Sequence, residues 1–180
     1  DVRVLERLRA NEADMAFFPA TELPPDFHSL RIYRSKKGIL VRDGHPVIEA
    51  YEKAGVMTWE LLNRWPAVCV TAGMKDGGAK SVEGRRVGVV LPYFLTVPYV
   101  VARTDFTFEG PLITLRRFMM DSQFQFRILP MPEESGPFEP RLVWHHCSHT
   151  DPFLQWVRGL VVDAARSEAR LLGVIDTSEE

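Results

Sequence analysis

From Trp144 to Asp151 the chain reads WHHCSHTD, with three histidines, a serine and a carboxylate close together. Imidazole and carboxylate side by side suit zinc or iron. A metal, however, needs ligands that converge, and on a strand His145 and His146 point to opposite faces. The expectation is therefore one half-buried histidine lining a cleft, two histidines in solvent, and no metal. Ser148, His149 and Asp151 are also the residue types of a nucleophile triad. Sequence neighbours do not generally form one, and no G-x-S-x-G elbow is present. Neither catalysis nor a cofactor is expected.

A second stretch with chemical content is Gly73-Met74-Lys75-Asp76-Gly77-Gly78, which follows the apolar run Trp65 to Thr71. It lacks the Gly-Lys-Ser/Thr ending of a phosphate-binding loop. As a turn at the end of a parallel strand it would face its backbone N–H groups toward a ligand; as a plain surface loop it would do nothing. Pro92-Tyr93-Phe94 stands just before a helical pattern, so Tyr93 is near a helix N-terminus where a hydroxyl and free N–H groups meet a ligand. Phe94 reads more readily as packing between helix and sheet.

The elements that must position these residues alternate. Val2, Leu5 and Leu8 mark a short helix ending near Asn11, and Met15 to Phe18 a buried strand. Pro19 to Asp26 is loop. Leu30 to Tyr33 and Gly38 to Arg42 read as two strands around a Ser35–Lys37 turn. A helix follows Gly44-His45-Pro46, over Val47 to Ala54. Thr58 is a candidate cap for a short helix to Leu62. Trp65 to Thr71 and Val87 to Leu91 are strands, Leu95 to Ala102 and Leu112 to Met120 helices, and Phe126 to Leu129 a strand. After the loop Pro130 to Pro140 comes a strand, Arg141 to Trp144. The last helix is expected to be capped by Thr150, with Asp151 and Pro152 in its first turn and Phe153, Val157, Leu160, Val161 and Ala164 on its buried face. Trp59, Trp65, Trp144 and Trp156 read as core. Alternating strands and helices predict an α/β protein with largely parallel sheets.

Composition is that of a globular protein, with 46% hydrophobic and 26% charged residues. A formal charge of −2 excludes a free-standing nucleic-acid binder. The basic pairs Lys36-Lys37 and Arg85-Arg86 read as solvated turn residues. Two cysteines, Cys69 and Cys147, in different contexts predict a reduced, cytoplasmic setting rather than a disulfide scaffold. No secretory signal opens the chain and no run is long enough to span a membrane. Asp1 begins directly on a helix, so the chain reads as a fragment.

Five motifs in order resemble the effector-binding domain of LysR-type transcriptional regulators, in the branch of nodulation and aromatic-degradation regulators. They are L-x(4)-A-D-M-A-F from Leu8 to Phe17, Gly44-His45-Pro46, Leu91-Pro92-Tyr93-Phe94, Ala102-Arg103-Thr104-Asp105, and Trp144-His145 with Asp151-Pro152. The resemblance implies a two-lobed fold of the periplasmic-binding-protein type II, with two parallel-rich sheets, flanking helices and two crossover strands. It places residues 1–42 and 142–180 in lobe I, without that lobe's first strand–helix–strand unit, and residues 43–141 in lobe II, with crossovers near Val41 to Val47 and Pro140 to Trp144. It also implies a small, aromatic effector bound between the lobes by Thr71, Met74, Asp76, Pro92, Tyr93, Phe94, Glu109 and His145. Further implications are a homodimer or homotetramer, and DNA binding only through a winged helix that these residues do not include. Asp76 and Glu109 would repel a carboxylate ligand and favour a neutral or cationic ring. Two other readings stand beside it: an extracytoplasmic solute-binding protein of the same fold, and a small hydrolase.

Overall fold

The run KGILVR, Lys37–Arg42, forms strand β3, whose four inner residues are all buried. In the computed structural model, which describes residues 2–18, 22–71 and 84–175, β3 is the middle strand of a three-stranded sheet. It pairs antiparallel with β6 (Phe108–Pro111) on one side and β7 (Phe126–Pro130) on the other. Successive strand residues face opposite ways, and both faces are covered. Leu40 joins Val97, Val101, Leu115 and Phe118, while Ile39 and Val41 join Val47, Met57 and Leu62. Apart from Met57, which lies between two helices, these residues come from α2 (Pro46–Ala54), α3 (Trp59–Leu62), α4 (Val97–Val101) and α5 (Leu112–Asp121). Helix α2 begins at Pro46 because the His45 ring caps it, accepting the Val47 N–H at 2.9 Å. Thr58 caps α3 by accepting the Leu61 N–H at 3.1 Å.

Strands β4 (Ala67–Val70) and β5 (Val87–Leu91) are parallel neighbours. The chain just before β6 continues beside β4 through a parallel bridge between Ala67 and Thr107. Gly88 is required where β5 passes β4, since a Cβ there would stand 2.7 Å from Pro66 and 2.8 Å from Phe106.

The contacts divide the chain into two compact units, Asp1–Ser35 with Pro137–Glu180, and Lys36–Gly136. Residues 36–42 thus group with the middle of the chain and not with lobe I as expected, because β3 finds both its partners there. In the first unit, β8 (Arg141–His145) is the middle strand, antiparallel to β1 (Ala16–Phe18) and to β2 (Phe27–Arg31). Helix α1 (Val2–Arg9) packs Leu8 against Phe27 and Val143. Helix α6 (Pro152–Leu171) follows β8 after a 3-10 turn over residues 146–148.

Several local expectations need correcting. Among the described residues only β4 and β5 pair as parallel strands, together with the Ala67–Thr107 bridge. The two crossover strands run against both neighbours and make each three-stranded sheet antiparallel. The strands around Ser35 do not form a hairpin, since β2 pairs with β8 and β3 with β6 and β7. Asp151, not Thr150, caps α6, its carboxylate accepting the Leu154 N–H at 3.0 Å while Pro152 fills the first helical position. The buried positions of α6 are Arg158, Val162 and Ala169, so Phe153, Trp156 and Leu160 face solvent.

Candidate functional site at the carboxyl ends of β4 and β5

Ligand sites in α/β sheets lie beyond the carboxyl ends of parallel strands, where chain leaves the sheet and backbone groups are free to face a ligand. In the second unit that end is built by Thr71 and by Pro92 to Phe94. The Thr71 N–H donates to the Leu91 carbonyl at 2.9 Å, and its hydroxyl reaches the same oxygen at 3.5 Å. Thr71 is thereby held against the last residue of β5. The next residues along β5 turn outward: Pro92 is exposed and Tyr93 is 68% exposed. A 3-10 turn over Phe94–Thr96 starts there, and Thr96 Oγ1 donates to the Tyr93 carbonyl at 2.7 Å. The backbone of Tyr93 is fixed while its ring stands clear of the core. Phe94 lies edge-on to Phe108, ring centres 6.2 Å apart, and is 41% exposed. It serves packing on one side only. A concavity of about 530 Å³, lined in part by Leu95, Tyr99, Phe118 and Phe124, opens on the same unit.

The sequence-derived set does not all gather here. Met74 and Asp76 lie outside the described residues. Glu109 is in β6, opposite Ile39, and its carboxylate accepts from Arg85 Nε at 2.5 Å. The same guanidinium donates to Asn63 Oδ1 at 2.8 Å and to Thr107 Oγ1 at 2.7 Å. Asn63 and Arg85 precede β4 and β5, so this network belongs to their amino ends, away from Thr71 and Tyr93. The Arg85 side chain is 1% exposed. The expectation that Arg85 is a solvated turn residue is therefore wrong: its guanidinium is buried and offsets the burial of Glu109. Burial pushes the Glu109 carboxyl up, and Arg85 opposes the rise.

His145 ends β8 in the other unit. Around it the histidines take roles that the local sequence hides. His146 is in the 3-10 turn and not on the strand, so the alternation argument does not apply to it. Its Nδ1 lies 3.0 Å from His28 Nε2, and the His28 ring stacks on His149 at 3.9 Å. Trp144 Nε1 donates to His149 Nδ1 at 3.2 Å, and the Arg158 guanidinium sits 4.6 Å over the Trp144 ring. Arg158 also donates to the Ser148 and His149 carbonyls, at 3.2 and 2.9 Å. His28 was missed because β2 reaches β8 only through pairing across most of the chain. Among the described residues no group of three or more His, Cys, Asp or Glu is arranged to hold a metal ion.

Residues 1–166 match the family described as the LysR substrate binding domain. The chain belongs to that family. The HTH-type transcriptional regulator SyrM 1 of Sinorhizobium fredii (strain NBRC 101917 / NGR234) is 27% identical over 169 residues, covering 89% of this chain and 48% of that protein. The chain thus spans about half the length of the curated relatives it matches. The crystal structure of the regulatory domain of MexT, a transcriptional activator in Pseudomonas aeruginosa, superposes with a TM-score of 0.67 at 21% identity, over 87% of this chain and 75% of that one. The effector binding domain of QuiR in complex with shikimate gives 0.66 at 11% identity, over 90% of this chain and 78% of that one. These likenesses establish the periplasmic-binding-protein type II fold of LysR regulatory domains for the LysR domain described here. Among the described residues no helix is long and apolar enough to cross a membrane.

Proposed function

We propose that this LysR domain senses a small aromatic molecule at the carboxyl ends of β4 and β5 and reports its presence to the DNA-binding part of a transcriptional regulator. The observation that carries the reading is the junction of Thr71 and Tyr93. A polar residue is pinned to Leu91 at the sheet end, and two residues further along the chain stands an aromatic ring that the core does not use. An exposed ring on a fixed backbone is a stacking surface that loses little entropy on binding. Thr71 supplies a hydroxyl that orients a polar substituent. Pro92 fixes the chain direction between them, and Phe94 closes the near side. Met74 and Asp76 remain members of the proposed ligand shell on the strength of the family resemblance, and His145, which belongs to the first unit, is not assigned to it.

The charge of the effector is a separate matter. Glu109 already answers Arg85 and presents no free carboxylate to repel an anion. The preference for a neutral or cationic ring therefore rests on Asp76 alone. The QuiR domain, of the same fold, holds shikimate, a carboxylic acid. As a sensor the chain turns nothing over, binds no cofactor, and works in the cytoplasm as a homodimer or homotetramer.

Isothermal titration with a matched phenol and benzoate tests this reading. Binding of either compound at micromolar strength should weaken about tenfold in Tyr93→Ala and in Thr71→Val, the size expected for loss of one stacking or hydrogen-bonding contact. Affinities unchanged in both variants would refute the site.

A further inference from the structure

A different polar array stands where β8 ends, in the first unit. Cys147 is exposed, whereas Cys69 is buried. The Cys147 S–H donates to Asn11 Oδ1 at 3.1 Å, and the sulfur also lies 3.1 Å from His145 Nδ1. On the far side of the imidazole, His145 Nε2 is 3.4 Å from Asp26 Oδ2. Arg9 clamps that carboxylate with two hydrogen bonds, of 2.6 and 3.0 Å. The clamp holds the Asp26 carboxyl down at about 2, so it is anionic at neutral pH. The Cys147 backbone N–H also points at His145 Nδ1, at 3.4 Å. A nitrogen that receives an N–H is the acceptor, which places the ring proton on Nε2, facing Asp26. Thiol, imidazole and carboxylate are thus in series, the order in which a base activates a nucleophile. The sulfur and the carboxylate lie on opposite edges of the ring, so the three cannot converge on a metal.

We propose that Cys147 is an activated thiol that captures α,β-unsaturated carbonyl electrophiles, enones or quinones, by conjugate addition. The S–H turns from Asn11 Oδ1 to His145 Nδ1, which takes its proton. The sulfur electron pair forms a C–S bond at the β-carbon, and the C=C π pair shifts to give the enolate. The imidazolium returns its proton to that enolate, so no group leaves and no oxidant is consumed. Asp26 is a positioning residue: it holds the ring in the required tautomer and balances the imidazolium charge. The site is built from residues of the first unit, and its existence does not depend on the effector proposed above.

N-Ethylmaleimide is the probe, used on the intact 180-residue chain with peptide mapping by mass spectrometry. At pH 7 Cys147 should react about tenfold or more faster than N-acetylcysteine in the same buffer, with Cys69 unlabelled. His145→Gln should bring Cys147 down to the N-acetylcysteine rate or below it. His145 also packs edge-on against Phe27. Asp26→Asn, which leaves the imidazole in place, provides a second reading and should slow labelling about threefold. A wild-type rate no greater than that of N-acetylcysteine would overturn the proposal. So would a folded variant of either kind that reacts as fast as wild type.

Discussion

β3 and β8 are each the middle strand of an antiparallel trio, yet the two are covered by different chemistry. Ile39, Leu40 and Val41 of β3 are each 0% exposed, under aliphatic and aromatic side chains on both faces. In β8, Val143 meets the small cluster of Leu8 and Phe27, while Trp144 points the other way. There it meets the His28 and His149 imidazoles and the Arg158 guanidinium. The second unit does bury charge, but as one closed network around Arg85 at the edge of the apolar core. The first unit lays its cation directly on the strand. A sheet face can thus be dried by ordinary apolar packing or by flat polar rings that stack and keep their hydrogen bonds in plane.

The contrast can be broken most forcefully at Arg85. Arg85→Met leaves Glu109 and Thr107 without their donor and should cost about 3–5 kcal/mol in urea unfolding. Arg85→Met with Glu109→Leu should recover most of that loss, because no charge is left buried. Failure of the double variant to recover would show that the network fixes the ends of β4 and β5 in some further way. A smaller effect is expected in the first unit from Arg158→Met. It keeps the stem that packs on Trp144 but removes the cation and two hydrogen bonds to carbonyls, for a loss of about 2 kcal/mol. Trp144 fluorescence during unfolding is the readout, and an unchanged midpoint would mean the ring stack alone covers β8.

The gentlest perturbation is pH. Burial lowers the proton affinity of His45 in the second unit and of His28 in the first, below the usual value of 6.5. The native state keeps both rings neutral while the unfolded chain takes up protons near that value. Their contribution is therefore complete above about pH 6.5 and declines as pH falls through it. The urea midpoint should be lower at pH 5.5 than at pH 7.5, and His28→Gln should flatten only part of that slope. A midpoint independent of pH across this range would contradict both assignments.

Much of the second unit was legible because its signals are local. The apolar runs of β4 and β5 end in polar or turn residues, and that alone put Thr71 and Tyr93 at strand ends. Thr58 and His45-Pro46 mark helix starts in the same local way. What could not be read depends on partners distant in sequence. Arg85 beside Arg86 looks like a surface pair until Glu109, Asn63 and Thr107 are brought round it. Asp26 and His28 sit in no motif and gain meaning only from β8. In α6 an arginine occupies the buried stripe, and hydrophobicity alone assigns that stripe to Phe153 and Leu160 instead. Phe153 and Leu160 are on the solvent side while Val157 and Val161 are half-buried, so periodicity placed the buried stripe only in part.

The place of β8 in its sheet also sets an order of events during synthesis. Among the described residues β1 and β2 do not pair with each other, and each bonds to β8. A ribosome delivers both strands, then the whole of residues 36–136, before β8 emerges. The second unit is one continuous stretch and can close while the first is still waiting. Until β8 arrives, β1 and β2 each lack the partner strand they hold here, and unpaired strand edges are where nascent chains stick to one another. Contacts that close so late in the sequence also form slowly. Translation rate across the second unit, and any chaperone that shields an open edge, should therefore govern the yield of soluble protein more than the stability of either unit does.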